Sequence, residues 1–284
     1  SHHNRTTMPA TPLVLALLLL LLAAGPRPVA PASTDRAALL AFRASLSPPS
    51  RAALSSWHGP LSASWLGVSL HPPAAAAVAA PPSVASLALQ GLNLSGPLPA
   101  PSLALLRRLR ELDLSANALF GELPCSLPRS LVDLDLSRNA LSGAIPTCLP
   151  ASLPALRTLN LSSNSLGFPL SPWFSFSSRL VALDFSSNAL SGAVPPRIVA
   201  DPDASSLLLL DLSHNRFSGE IPAGITAIRS LQGLFLADNQ LSGEIPPGIG
   251  NLTYLQAASS FCTCVSGVIS SLGRCGRSLM HLIV

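Results

Sequence analysis

Leucines recur through the middle of the chain at fixed places in a unit of about 24 residues. Leu109, Leu112, Leu114 and Leu119 come first in one such unit, with Asn117, Gly121 and Pro124 interleaved. The same order returns at Leu131 to Pro146, Leu180 to Pro195, Leu207 to Pro222 and Leu231 to Pro246, with Asn139, Asn188, Asn215 and Asn239 in the asparagine place. Leu156 to Leu170 is a looser copy, and Leu87 to Pro99 opens the series with Leu92 where the asparagine would stand. Steps between equivalent leucines from Leu87 to Leu234 are 25, 22, 25, 24, 27 and 24 residues, so seven copies are recognisable.

Each place in the unit has a physical task. Alternation around Leu-x-Leu predicts a short strand with its leucines turned into a core, and strands from successive copies stack in parallel. The asparagine that follows satisfies backbone groups where the chain turns out of the strand, which predicts a ladder of such bonds along the stack. Glycine permits the next bend, and Ile-Pro closes the segment. One copy cannot bury its apolar face alone, so stability comes from stacked neighbours. The expected fold is therefore an α/β repeat solenoid with a parallel concave sheet and short 3-10 or irregular convex segments.

Ahead of the repeats, the apolar run Leu13 to Ala24 follows Arg5 and leads to the small-residue site Ala30-Pro31-Ala32. This reads as a signal peptide, being shorter than the roughly 20 residues of a spanning helix. Met8 is the expected initiator. After the repeats, residues 257–284 lose the pattern. An altered reading frame, a retained intron or an alternative transcript accounts for such a break, and so does a genuine tail. The organisation expected is upstream residues and signal peptide at 1–32, a cap at 33–83, repeats at 84–256 and a non-repeat tail at 257–284.

Composition agrees with closely punctuated short elements. Only 11% of residues are charged, while 28 are Pro and 18 Gly, and neither of these is tolerated inside helices or central strands. The formal charge of +4 invites a nucleic-acid reading, which the charge distribution removes. Twelve of the thirteen acids but only seven of the seventeen Arg lie between Glu111 and Glu244, so the repeat region is net acidic and no nucleic-acid partner is expected.

The unit L-x-x-L-x-L-x-x-N-x-L-S-G-x-I-P resembles the plant-specific subclass of extracellular leucine-rich repeats, found in receptor kinases, kinase-less receptor-like proteins and polygalacturonase inhibitors. Asp35 to Leu46, Leu54 to Trp57 and Trp65 to Val68 are similar to the N-terminal cap of those proteins, a capped amphipathic helix followed by a Trp-containing segment. The cap departs from the family at its cysteines, since Leu61 to Trp65 and Ser69 to His71 carry none. That departure implies a cap without its usual disulfide. Leu207 to Pro222, running on to Gln256, resembles the kinase-less receptor-like proteins in particular. The resemblance implies a membrane-anchored receptor or co-receptor that binds a small secreted signalling peptide, acts on meristem size and relies on a partner for the cytoplasmic signal. Here the form expected is C-terminally truncated, at the extracellular face of the plasma membrane or secreted. The alternatives are an apoplastic inhibitor of polygalacturonase and a nonfunctional receptor fragment.

The outward position between the two strand leucines reads Asp113, Asp135, Asn160, Asp184, Asp211 and Phe235. This column is the candidate ligand-binding surface, because solenoids bind on their concave face. Its acidity suits a basic peptide, while Asp at that place also serves local backbone needs. Phe235, with Leu209 and Leu210, marks a candidate contact patch, and Trp173 is expected to fill space beneath a loop. Asn93, Asn160 and Asn251 open glycosylation sequons. Cys125 and Cys148 lie in adjacent copies, close enough for a disulfide, the alternative being two buried thiols. Cys262, Cys264 and Cys275 lack metal-site spacing, and Ser213 and His214 have no partner geometry. No catalytic residue, metal or cofactor is expected, and the chain is read as not being an enzyme.

Overall fold

In the computed structural model, residues 34–72, 81–199 and 205–259 are described. The proposed signal peptide and Cys262, Cys264 and Cys275 lie outside them.

The leucine period becomes a parallel solenoid. Among the described residues, nine strands form one long sheet, which begins with an antiparallel pair and is parallel thereafter. Its strands include Val84–Ala88, Glu111–Asp113, Asp133–Asp135, Thr158–Asn160, Ala182–Asp184, Leu209–Asp211 and Gly233–Phe235. Register is fixed by sequence place: Leu87, Leu112, Leu134, Leu159, Leu183, Leu210 and Leu234 pair in turn. All seven are buried, each stabilising the fold by about 1.5–3 kcal/mol. The ladder continues one strand past the drawn repeat boundary, because the backbone of Ala257–Ser259 pairs in register with Gly233–Phe235.

The asparagine ladder is present in six consecutive coils. Asn117, Asn139, Asn164, Asn188, Asn215 and Asn239 each accept through Oδ1 from a backbone N–H of the preceding coil. Each also donates through Nδ2 to a carbonyl of that coil. Just before each asparagine the backbone is left-handed, at Ala116, Arg138, Ser163, Ser187, His214 and Asp238, with φ between 52° and 54°. That turn aims the amide into the stack.

A second parallel sheet of seven strands, from Ser95–Pro97 to Gln240–Leu241, runs down another side of the solenoid. It uses the L-S-G residues, whose glycine the sequence pattern assigned to a bend. Short segments on the remaining side are single helical turns, such as Leu149–Ser152, or 3-10 turns, such as Ala223–Ala227 and Pro247–Asn251.

The N-terminal end is closed by helices α1 (Thr34–Ser45) and α2 (Pro48–Ala53). Ala38, Leu39 and Phe42 of α1 are buried, Phe42 with its ring 5.9 Å from that of Trp57, and the rings of Trp57 and Trp65 stack at 5.7 Å. Both indoles are satisfied, Trp57 donating to Leu66 O and Trp65 to His58 O. The buried carboxylate of Asp35 accepts from Val84 N at 2.8 Å, fastening the helix to the first parallel strand. At the first coil, where Leu92 stands in the asparagine place, the cap pairs the open edge of the second sheet: Ser50 Oγ accepts from Ser95 N, and Ser47 N donates to Ser95 O. The cap is thus held by indole, carboxylate and hydroxyl groups in place of a cystine.

Candidate binding surface

Strand alternation sends the residues on either side of each core leucine outward. The column Asp113, Asp135, Asn160, Asp184, Asp211 and Phe235 is half-buried and runs in register from coil to coil. Its acidic members have a local task first. Oδ1 of Asp113, Asp184 and Asp211 accepts from both N and Oγ of the serine two residues on, at 2.6–2.9 Å. Asp135 accepts from Ser137 N, and Asn160 accepts from Ser162 in the same way. Such turns hold the chain as it leaves the strand. The second carboxylate oxygen is left facing outward, and that of Asp135 accepts from Asn160 Nδ2 at 3.2 Å.

A second outward column precedes the core leucine: Ser86, Glu111, Asp133, Thr158, Ala182, Leu209 and Gly233. The sequence reading passed over it, although the same period carries it. Thr158 Oγ1 donates to Asp133 Oδ1 at 2.5 Å, while Glu111 is exposed. The two columns together line a shallow hollow of about 530 Å³ between Ser86 and Asn160, with Glu111, Asp113, Asp133 and Asp135 in its walls. Arg110 borders the adjoining hollow, with His71.

The other end of the sheet is apolar. Gly233 lacks a side chain, and Leu209 Cδ1 and Phe235 Cε2 lie 2.8 and 3.1 Å from where its Cβ would be, so both side chains close over it. The patch differs from the sequence expectation in one member. Leu210 is fully buried, and Leu208 is exposed in its place. The repeat itself accounts for this: Leu207, Leu210 and Leu212 hold its three core-facing places, and Leu208 and Leu209 are the two residues between the first pair.

Elsewhere, Trp173 is 91% exposed rather than filling space under a loop, because Phe174 and Phe176 take the interior. Phe168, 65% exposed, occupies the place held by Gly121, Gly143, Gly192 and Gly219 in other coils, with φ of 68°. Cys125 and Cys148 form a disulfide with Cα atoms 5.8 Å apart, and both residues are exposed. Asn93 and Asn251 are exposed, whereas Asn160 sits half-buried within the long sheet with its amide engaged. Ser213 is buried on Asp211, and His214 Nδ1 meets Asp238 Oδ2 at 2.8 Å on the exposed rim. Among the described residues there is no cluster of three metal-ligating side chains, and no helix is long and apolar enough to cross a membrane.

A capped parallel solenoid with an internal asparagine ladder and an open sheet face is a leucine-rich-repeat binding scaffold. The leucine-rich-repeat N-terminal domain matches residues 32–69, and leucine-rich repeats match 108–129, 130–151, 155–176, 206–228 and 230–252. The chain belongs to the leucine-rich-repeat proteins. It is 75% identical over 251 residues to the maize leucine-rich repeat receptor-like protein FASCIATED EAR2, an alignment covering 87% of this chain and 41% of that protein. The chain therefore spans less than half the length of this relative. The BIR2 ectodomain of Arabidopsis thaliana is 32% identical, with a TM-score of 0.51, over 64% of this chain and 92% of BIR2. The Arabidopsis receptor kinase HAESA, solved with the peptide hormone IDA and the co-receptor SERK1, is 28% identical, with a TM-score of 0.63, over 83% of this chain and 42% of HAESA.

Proposed function

We propose that the chain is the extracellular recognition part of a receptor-like protein, that the open face of its long sheet binds a secreted peptide in extended form, and that a membrane receptor or co-receptor completes the signalling unit. The observation that carries this reading is the register of the two outward columns, which offers one pair of positions per coil along the face of the long sheet. Solenoids use such faces for extended ligands, and HAESA, of similar fold, is solved with a peptide hormone and a co-receptor. The action is binding without chemistry, so specificity resides in these side chains and not in a catalytic group.

The test is to secrete the full chain from plant cells, incubate it with the apoplastic peptide fraction and identify retained peptides by mass spectrometry. Thr158→Trp and Ala182→Trp place bulk in the middle of the face without touching the core. We expect a defined peptide set on the unaltered chain and its loss from both variants. Retention of the same set by the variants refutes the sheet face as the site.

A further inference from the structure

The two ends of the long sheet offer different chemistry. At one end, two anionic columns overlap: Glu111 and Asp133 stand beside Asp113 and Asp135 around the same hollow. Toward the other end only the Asp184 and Asp211 column remains, each with Oδ1 taken by its own serine, and the second column becomes Ala182, Leu209 and Gly233. Hydrogen bonds from Ser115 and Thr158 use one oxygen each of Asp113 and Asp133, while Asp135 accepts through Oδ1 from Ser137 N and through Oδ2 from Asn160 Nδ2. These neutral donors leave the negative charge of the carboxylates that line the hollow, and Glu111 is exposed. Like charges held together in a walled depression raise the local negative potential and favour a cation. At the far end, Leu208 is exposed and Leu209 and Phe235 close over Gly233. Apolar surface of this kind gains by being covered.

We propose that the ligand of this face is a linear peptide with a cationic side chain over Glu111 and Asp133 and a large apolar side chain over Leu208, Leu209 and Phe235. The inference rests on the peptide-binding reading above and adds the side-chain chemistry of the peptide. The sheet also sets the spacing. The acidic and apolar zones lie three to five strands apart, or roughly 14–24 Å at about 4.8 Å per strand. An extended peptide rising about 3.3 Å per residue crosses that distance in about four to seven residues.

A displayed library of random dodecapeptides, panned on the full secreted chain, tests the proposal. Enriched sequences are expected to carry Lys or Arg and a large apolar residue about four to seven positions apart. Their affinity should fall about tenfold or more, equivalent to about 1.4 kcal/mol, in the Glu111→Gln/Asp133→Asn double variant and again in the Leu208→Ser/Leu209→Ser variant. Asp133→Asn keeps the acceptor for Thr158, and thermal melts establish that each variant is folded. Independently of any variant, raising the salt concentration should weaken binding of the same peptides. Binders abolished by Thr158→Trp but lacking the paired residues, or insensitive to salt, overturn this inference and leave the peptide-binding reading standing. Binders indifferent to Thr158→Trp overturn both, and a library that yields no binder overturns the inference.

Discussion

Asn188 and Leu166 are 22 residues apart in the chain and joined across two coils, Oδ1 of the asparagine accepting from the leucine N–H at 3.0 Å. The same amide donates to Leu161 O of the preceding coil and to Phe185 O and Ser186 O of its own, at 3.0–3.1 Å. One side chain therefore serves four backbone groups. Asn188→Ala leaves them without their partner, at a cost of about 1–3 kcal/mol for each group that water cannot reach. We expect a loss of about 2–4 kcal/mol by urea unfolding, and a broadened transition as the coils on either side uncouple. An unchanged midpoint would remove the ladder from the account of stability.

Cys125 and Cys148 bridge neighbouring coils over a sequence separation of 23 residues. Replacing both by Ser should cost about 2–4 kcal/mol, the range for a loop of this length. Non-reducing peptide mapping should recover the linked pair from secreted protein, and recovery of both thiols in alkylated form would contradict it.

At Phe168, φ of 68° holds a bulky residue where other coils place Gly121, Gly143, Gly192, Gly219 and Gly243 with positive φ. The ring is mostly exposed, so little burial offsets the strain of about 1–2 kcal/mol. Phe168→Gly should raise stability by about 1 kcal/mol, read as a higher melting temperature. A lower one would mean that the ring makes a contact worth more than the strain.

Glycan occupancy should follow exposure. In protein secreted from plant cells, Asn93 and Asn251 stand clear of the fold, while a glycan on Asn160 would break its bond to Asp135 and stand on the long sheet. We expect glycopeptide mass spectrometry to find sugar at Asn93 and Asn251 and a bare Asn160. A fully occupied Asn160 would argue against this sheet as a ligand surface.

What the sequence made legible is whatever repeats within one copy. The leucine column, the asparagine ladder and the outward Asp column each occupy one place in the unit, and a shared period brings such places into register. The second sheet was not legible, because residues such as Ala140 to Ala144 pair only with Phe120 to Glu122 and Ser165 to Gly167 in other copies. Read within one copy, the glycine of L-S-G marks a bend. Leu210 was misplaced in the outward patch because four leucines in a row, Leu207 to Leu210, hide which of them hold the core-facing places; its pairing with Leu183 and Leu234 puts it inside, and Leu208 is exposed. The strand Ala257–Ser259 escaped notice because Ala258 stands where leucine is expected. Trp173 was misjudged because two neighbouring phenylalanines already fill the interior.

The two parallel sheets also decide how the molecule responds to being pulled. In both, the inter-strand bonds lie along the stacking axis, so tension applied at the ends opens them in sequence, coil after coil, instead of shearing many at once. Each released coil of about 24 residues would pay out about 80 Å of slack, a sawtooth extension in which the solenoid yields by increments. The cystine between Cys125 and Cys148 is a covalent stop in that unravelling: the chain between them cannot lengthen, and the force has to travel across the bridge to the next coil.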